Sequence, residues 1–209
     1  MFPGKPSLDE NVASSSHFLK ALDLFDKANS EDPNKIFIDG KSQPKELLYS
    51  LRMSSCLKRF APDAPEHLQL AARCQHICRW VIPREQYQSG RDGYRRWRTD
   101  LARYNAETAG EFLCKVGYKE DLISRVKSLL RKERLKKDPE VQILEDVICL
   151  VFLEYYFAEF AAKHNEEKIV DILRKTWRKM SDRGRDVALK INLEPALRRL
   201  VEKALSLTS

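Results

Sequence analysis

Glycine and proline are scarce in this chain, which has only seven glycines and nine prolines among 209 residues. An all-β fold would need more residues of these two types at its turns, so the composition disfavours it. Charged residues make up 33% of the chain, and its many Lys, Arg and Glu side chains favour helices. The composition predicts an all-α protein, and the length fits a single domain.

Long apolar segments are also missing. The N-terminal sequence MFPGKPSLDENVASSSH contains no apolar core of the kind found in a secretory signal. The longest apolar run, at residues 147–153, is far too short to cross a bilayer. We therefore expect a soluble, cytoplasmic protein that does not associate with a membrane.

The cysteines form no Cys-x-x-Cys pair, and their number is odd. All of them fall inside predicted helices, so we expect reduced, buried side chains that act as small hydrophobic residues. They are Cys56, Cys74, Cys78, Cys114 and Cys149. A zinc site at Cys74-x-His76-x-Cys78 is rejected, because on a helix His76 would point roughly 160° away from the two cysteines.

Several catalytic motifs are absent. The sequence has no Gly-rich phosphate loop, no Gly-x-Ser-x-Gly elbow and no dinucleotide fingerprint. These absences argue against P-loop nucleotide hydrolysis, serine hydrolysis and Rossmann-type redox chemistry.

Apolar residues at helical spacing predict about eight helices in one domain over residues 15–209, after a disordered segment at residues 1–14. The predicted helices cover approximately residues 15–29, 44–60, 65–82, 94–116, 119–132, 139–163, 165–177 and 195–205. Residues 31–44 are predicted to be a loop, because Asp-Pro, Asp-Gly and Gln-Pro all interrupt regular structure.

The helix over residues 139–163 has the clearest start signal. Asp138 can accept hydrogen bonds from the first free amides, and Pro139 has no amide hydrogen to leave unpaired. From Val147 to Phe157 this helix is apolar on nearly every side, which predicts a central position with neighbours all round.

Two acids on this helix, Glu145 and Asp146, lie in or beside an apolar environment, as does Glu154 farther along the helix. A buried carboxylate without a partner costs several kcal/mol, so each needs a cation, a hydrogen-bond donor or a metal ion. One interpretation is that they form structural pairs with arginines. The other is that they are catalytic.

The segment 79–104 contains seven arginines, three acids and five aromatic residues. Guanidinium groups match the geometry of phosphate oxygens, so Arg79, Arg84, Arg91 and Arg98 are candidate phosphate ligands. The alternative to phosphate binding is that these arginines pair with nearby acids or are solvated. A second basic stretch at residues 125–137 could bind along an RNA backbone, although such a helix face is commonly only exposed to solvent.

Longer blocks of sequence resemble a domain-of-unknown-function family of all-helical proteins, over roughly residues 20–190. The blocks are QHICRWVIPREQY, RDGYRRWRTDL, DPEVQILEDVICLVFLEYYF and ILRKTWRKMS. The resemblance implies an all-helical fold. Some members carry a glutamyl-tRNA synthetase label, but this sequence lacks the nucleotide-binding motifs which that activity would need.

The layout is also similar to the HD superfamily of metal-dependent phosphohydrolases. This resemblance implies a divalent metal ion (Mn, Fe or Zn) held by His76, Asp146 and Glu46, with Glu145 and Asp146 as catalytic residues. The sequence departs from the pattern at Ile77, where the His-Asp pair has its aspartate, and at Glu46, which replaces a histidine. Asn105 stands where the domain-of-unknown-function family has a histidine, and an amide ligates metals more weakly than an imidazole.

Three functional hypotheses follow. The chain is an HD-like hydrolase acting on a phosphate-containing small molecule, a non-catalytic module that binds RNA or polyphosphate, or an interaction scaffold whose arginines form internal ion pairs. The first predicts one pocket that joins His76, the arginines of residues 79–98, and Glu145 with Asp146. The second predicts binding that weakens steeply with salt.

Overall fold

The computed structural model describes the backbone of residues 8–38 and 40–206, and the side chains from Ser16 onward. Ten α-helices and one β-hairpin occur in this part of the chain, and the prediction of an all-α protein is confirmed. The helices are α1 (Leu8–Ser30), α2 (Lys45–Phe60), α3 (Glu66–Arg73), α4 (Arg91–Val116), α5 (Glu120–Leu130), α6 (Pro139–Val151), α7 (Phe157–Ala162), α8 (Glu166–Lys179), α9 (Asp182–Leu189) and α10 (Pro195–Ser206).

Backbone contacts group the chain into two compact units. The first comprises Met1–Ser55 and Asp63–Glu133, and the second comprises Cys56–Pro62 and Arg134–Ser209. In the first unit α1, α3, α4 and α5 pack on one another, whereas in the second α6 packs on α8 and α9, and α8 packs on α10. The predictions of a single domain and of an HD-like arrangement stay predictions.

The N-terminal helix starts earlier than the sequence pattern indicates. Helix α1 begins at Leu8 rather than near residue 15. The remainder of the predicted disordered segment, residues 1–7, lies outside the described residues.

The predicted loop at residues 31–44 contains a β-hairpin, so that prediction is wrong for most of the segment. Strands β1 (Lys35–Ile38) and β2 (Lys41–Pro44) pair antiparallel, with Ile38 opposite Lys41. Gly40 has a φ of +74°, which a two-residue hairpin connection requires and glycine adopts without strain. The Asp-Gly pair is therefore a hairpin signal here rather than a simple interruption.

Helix α3 ends at Arg73, about nine residues before the end that the sequence predicts. The following turns bring the amide of Cys78 to within 3.0 Å of Asn29 Oδ1 on α1, and Cys78 adopts a left-handed φ of +48°. This contact to another helix, which no local pattern reveals, holds the chain in a non-helical path. The continuous helix on which the rejection of the Cys74-x-His76-x-Cys78 zinc site was based does not extend through His76. Among the described residues no group of three or more His, Cys, Asp or Glu side chains is arranged to hold a metal ion there.

The predicted helix at residues 139–163 is confirmed, with one irregularity. Asp138 Oδ1 accepts hydrogen bonds from the amides of Glu140 at 3.0 Å and Val141 at 3.4 Å, as its N-cap position predicts. A π-helical segment, Phe152–Tyr156, separates α6 from α7. Helix α9 is an addition that the sequence pattern does not predict.

The cysteine prediction is confirmed in part. All five thiols are free, and Cys56, Cys74 and Cys149 are buried, whereas Cys114 is exposed. None of the helices in the described part of the chain combines the length and apolarity needed to cross a membrane.

Candidate functional site

A pocket of about 500 Å³ lies in the first unit beside α4 and the C-terminal end of α5. Its size is in the range of small-molecule sites. Four cationic side chains line it, namely Arg98, Arg103, Arg131 and Lys132. Four polar residues, Gln75, His76, Thr99 and Asn105, also contribute to the lining, which contains one carboxylate, Glu107.

Glu107 offsets only part of the positive charge of the lining, because it pairs with one lining cation and with one cation outside the lining. Lys127 and Arg131 both form ion pairs with it. The hydrogen bond from Lys127 is the largest of the effects that lower the pKa of Glu107, so the carboxylate is ionised and engaged at pH 7. Arg103 lies 3.6 Å from Asp100, whereas no carboxylate pairs with Arg98 among the described residues.

A half-buried histidine and a buried carboxylate form a pair beside this pocket. His76 Nδ1 lies 3.0 Å from Glu46 Oε2, and Arg79 Nη1 lies 3.4 Å from Glu46 Oε1. Glu46 stands in the first turn of α2, where its amide donates to Asp32 Oδ2 at 2.9 Å. The start of α2 therefore places a carboxylate within hydrogen-bond distance of the imidazole Nδ1.

The ring of His76 is held from a second side by Tyr49. The two rings stack at a centroid distance of 4.0 Å and an angle of 13°. The Tyr49 hydroxyl donates to Gln75 Oε1 at 3.1 Å, which fixes the stacking partner in turn. These contacts leave His76 one ring orientation.

Burial lowers the pKa of His76 to about 4 and outweighs the opposite effect of Glu46. Burial alone would raise the pKa of Glu46, but the neighbouring His76 and Arg79 outweigh it and lower that pKa. At pH 7 a neutral imidazole consequently donates its Nδ1 hydrogen to an ionised Glu46. The lone pair of Nε2 then remains as a hydrogen-bond acceptor for the pocket that His76 lines.

Asn105 supplies another acceptor. Its side-chain nitrogen donates to the carbonyl of Gln75 at 2.9 Å, which fixes the orientation of the amide group. Oδ1 is buried and has no hydrogen-bond partner among the described residues. Since a buried acceptor without a partner costs about 1–3 kcal/mol, this atom is a site where a ligand can contribute binding energy.

The predicted phosphate-binding arginines have different environments. Arg98 lines the pocket. Arg79 pairs with Glu46 and lies 5.0 Å from the centre of the Trp97 ring. Arg84 donates to the carbonyls of Tyr87 at 2.8 Å and Gln88 at 2.9 Å, so it supports the loop before α4. Arg91 is exposed at the first position of α4.

These environments bear on the scaffold hypothesis, which requires pairing with acids from other helices. Arg79 meets this requirement through Glu46, whereas Arg84 binds backbone carbonyls and Arg95 lies 4.0 Å from Asp92 in its own helix. Sequence reasoning missed Arg103, Arg131 and Lys132 as pocket residues. The sequence feature that could have indicated them is the pair of basic stretches at residues 79–104 and 125–137. The packing of α4 on α5 brings these two stretches together.

The predicted catalytic acids lie in the second unit, each with partners of its own. Asp146 is 1% exposed and accepts from the Ser181 amide at 2.8 Å, the Ser181 hydroxyl at 2.5 Å and Gln142 Nε2 at 3.2 Å. Glu145, 2% exposed, lies 3.5 Å from Lys179 Nζ. Asp146 thereby fixes the start of α9, where Ser181 is the N-cap residue.

The described residues around His76 do not fit a metal ion held by three protein ligands. Within the described part of the first unit, no group of three or more His, Cys, Asp or Glu side chains is arranged to hold one. Glu46 and His76 bind each other through Nδ1, and Ile77 is fully buried in the core. The predicted metal ion, and the joint site of His76 with Asp146, stay predictions.

Comparison with known proteins gives one match. No curated protein and no solved structure is significantly similar to the chain. The family model described as Domain of unknown function (DUF4202) matches residues 19–201, which is most of the sequence. This range includes all the residues of the pocket and of the Glu46–His76 pair. The match confirms the resemblance found in the sequence, and the chain belongs to the DUF4202 family.

Proposed function

We propose that this protein binds a phosphate-bearing small molecule in the pocket beside α4 and α5. The observation that carries the proposal is the charge of the lining, where four cations outnumber one carboxylate and Arg98 has no carboxylate partner among the described residues. The four cations are Arg98, Arg103, Arg131 and Lys132. Four cations around a concave volume create a positive potential that attracts an anion and concentrates it there. Phosphate matches this set well because guanidinium groups bind its oxygens in pairs.

Arg98 is the principal phosphate ligand in this proposal. It lacks a carboxylate partner among the described residues, so binding an anion costs it no existing ion pair. Arg131 is held by Glu107, which restricts its side chain before the ligand arrives. An ordered guanidinium loses less conformational entropy on binding than a freely moving one.

The concave shape favours a small molecule over an extended RNA chain. A pocket of about 500 Å³ can enclose a phosphorylated metabolite, whereas RNA-binding proteins without sequence preference use long basic grooves with stacking aromatic rings. No Phe, Trp or Tyr of the described residues lines the pocket. In the arginine-rich segment Trp97 is 6% exposed and donates Nε1 to the carbonyl of Ile82, whereas Tyr94 is 50% exposed and does not line the pocket.

Binding has more support here than hydrolysis. A histidine with a pKa of about 4 is neutral at pH 7 but a weak proton acceptor, and general-base catalysis works best with a pKa near the operating pH. His76 suits the role of a fixed hydrogen-bond acceptor. The metal-dependent hydrolysis suggested by the resemblance to HD proteins stays a prediction.

The proposal is tested by calorimetric titration of the full chain with inorganic pyrophosphate. Arg98→Gln should weaken binding about 10- to 100-fold, because a hydrogen bond to a charged group contributes about 1.5–3 kcal/mol. Arg95→Gln is the matched control: Arg95 is on the same helix, is exposed and does not line the pocket. Equal effects of the two substitutions, or no binding to the unmodified protein, would contradict the proposal.

A further inference from the structure

The polar groups of the pocket are arranged by depth. Asn105 is 4% exposed, and the side chain of His76 is 15% exposed. The side chains of Arg131 and Arg103 are more exposed, at 35% and 67%. Asn105 and His76 are therefore the more deeply buried polar groups and form the floor. Arg103 and Arg131 are more exposed and form the rim together with Arg98 and Lys132, which are of intermediate exposure. A phosphate group bound by the rim cations leaves the rest of its molecule directed toward the floor.

The floor offers two acceptor atoms beside Gln75, whose Oε1 accepts from Tyr49 and whose amide nitrogen is a donor. Asn105 turns its nitrogen to the Gln75 carbonyl, so the amide atom without a partner is Oδ1. His76 gives its Nδ1 hydrogen to Glu46, so the remaining nitrogen, Nε2, accepts. A ligand that satisfies this floor must bring hydrogen-bond donors.

The charge of the rim restricts which donors these can be. An ammonium group would be repelled by the lining, which has four cations against one carboxylate. Neutral donors remain, and hydroxyl groups suit the site best. A hydroxyl donates to the floor and can at the same time accept from a guanidinium above it, which an N–H group cannot do.

We propose that the ligand is a phosphate ester with a hydroxylated organic part, such as a sugar phosphate, whose hydroxyl groups donate to His76 Nε2 and Asn105 Oδ1. This inference rests on the proposed phosphate-binding function and names the class of molecule that the same pocket takes. The phosphate binds at the rim and supplies charge attraction. The hydroxyl groups bind at the floor and supply selectivity, because a buried polar site discriminates strongly against an analogue that lacks its partner.

A pair of ligands tests the inference on the unmodified full-length protein. Ribose 5-phosphate and tetrahydrofurfuryl phosphate carry the same phosphate on the same five-membered ring, but the second has no hydroxyl groups. We expect ribose 5-phosphate to bind at least about tenfold more tightly, since an unmade hydrogen bond leaves a buried acceptor without a partner. Affinities within about twofold of each other would overturn the inference.

Asn105→Leu removes the acceptor and keeps a side chain of similar size. We expect this variant to lose most of the preference for ribose 5-phosphate over tetrahydrofurfuryl phosphate. Full retention of the preference would count against Asn105 as a ligand residue and against the inference. Circular dichroism and thermal melting check that the variant is folded, because the substitution also removes the bond to Gln75. If the variant is not folded, the comparison of the two esters on the unmodified protein still tests the inference, because it needs no variant.

The two proposals fail in different ways. If pyrophosphate and both esters do not bind, the phosphate-binding function is refuted and the inference falls with it. If pyrophosphate binds in an Arg98-dependent manner and the two esters bind equally, only the selectivity for hydroxyl groups is refuted.

Discussion

Replacing Gly184 by alanine should destabilise the second unit, although glycine-to-alanine changes in helices normally have the opposite effect. Alanine is favoured over glycine in a helix by up to about 1 kcal/mol. At Gly184 in α9, however, a Cβ atom would lie 2.5 Å from Asp146 Oδ1 and 2.7 Å from Asp146 Cγ. Asp146 is 1% exposed, so its carboxylate cannot turn into solvent to avoid the new methyl group.

The expected loss follows from the contacts that a displaced Asp146 would give up. Its carboxylate accepts from the amide and the hydroxyl of Ser181, the N-cap residue of α9. Hydrogen bonds to a charged group contribute about 1.5–3 kcal/mol each. Losing both, and gaining about 1 kcal/mol of helix preference, gives a net destabilisation of about 2 to 5 kcal/mol.

Urea denaturation followed by circular dichroism measures this change in the free energy of unfolding. Gly110→Ala in α4 is the matched control, because its nearest neighbours would be Lys127 Cδ at 3.2 Å and Ile123 Cγ2 at 3.4 Å. The lysine chain can shift at little cost, so we expect a change below about 1 kcal/mol there. A Gly184→Ala variant as stable as the unmodified protein would refute the close approach of Asp146 to α9.

Two further predictions concern titration and thiol reactivity. The pKa of His76 in the folded protein, about 4, lies below its ordinary value of 6.5, so the unfolded chain binds a proton first as the pH falls. Stability should therefore decrease by about 2 kcal/mol between pH 7.5 and pH 5, and a His76→Gln variant should lack this part of the pH dependence in urea titrations. Cys114 should react first with a thiol reagent because it is exposed, and Cys114→Ser should abolish that fast phase. Rapid modification of Cys74, which is fully buried, would contradict the described packing.

The secondary structure shows where local signals are sufficient. Asp138 and Asn165 both cap the helices that their positions predict, with Asn165 Oδ1 accepting from the Lys168 amide at 3.0 Å. Gly117 ends α4 with a φ of +97° and an amide that bonds to the Cys114 carbonyl. These contacts join residues within five positions of each other, so the sequence alone can reveal them.

The end of α3 shows where such signals are insufficient. Helical periodicity continues past Arg73, but α3 ends there, and the Cys78 amide in the following turns donates to Asn29 Oδ1, 49 residues away. The turns after α3 contain His76, whose Nδ1 lies 3.0 Å from Glu46 Oε2 on α2. No local pattern predicts this partner, which is 30 residues away.

The same distinction applies to the candidate site. The sequence identified Glu46, His76 and Arg98 as residues of unusual chemistry, and the structure gives each a place in or beside the pocket. It also marked Asp146 as a buried acid in need of partners. Only the structure identifies those partners as Ser181 and Gln142.

The sequence by itself determined the helical composition, the caps and the residues whose burial would be costly, because these depend on side-chain type and on neighbours within a few positions. The tertiary structure decided which distant groups meet: Glu46 with His76, Arg98 with Arg131 at one pocket, and Asp146 with the start of α9. The physical reason is that the pairing of buried polar groups depends on how helices pack. Packing brings together residues 30 or more positions apart, for which this sequence carries no local signal.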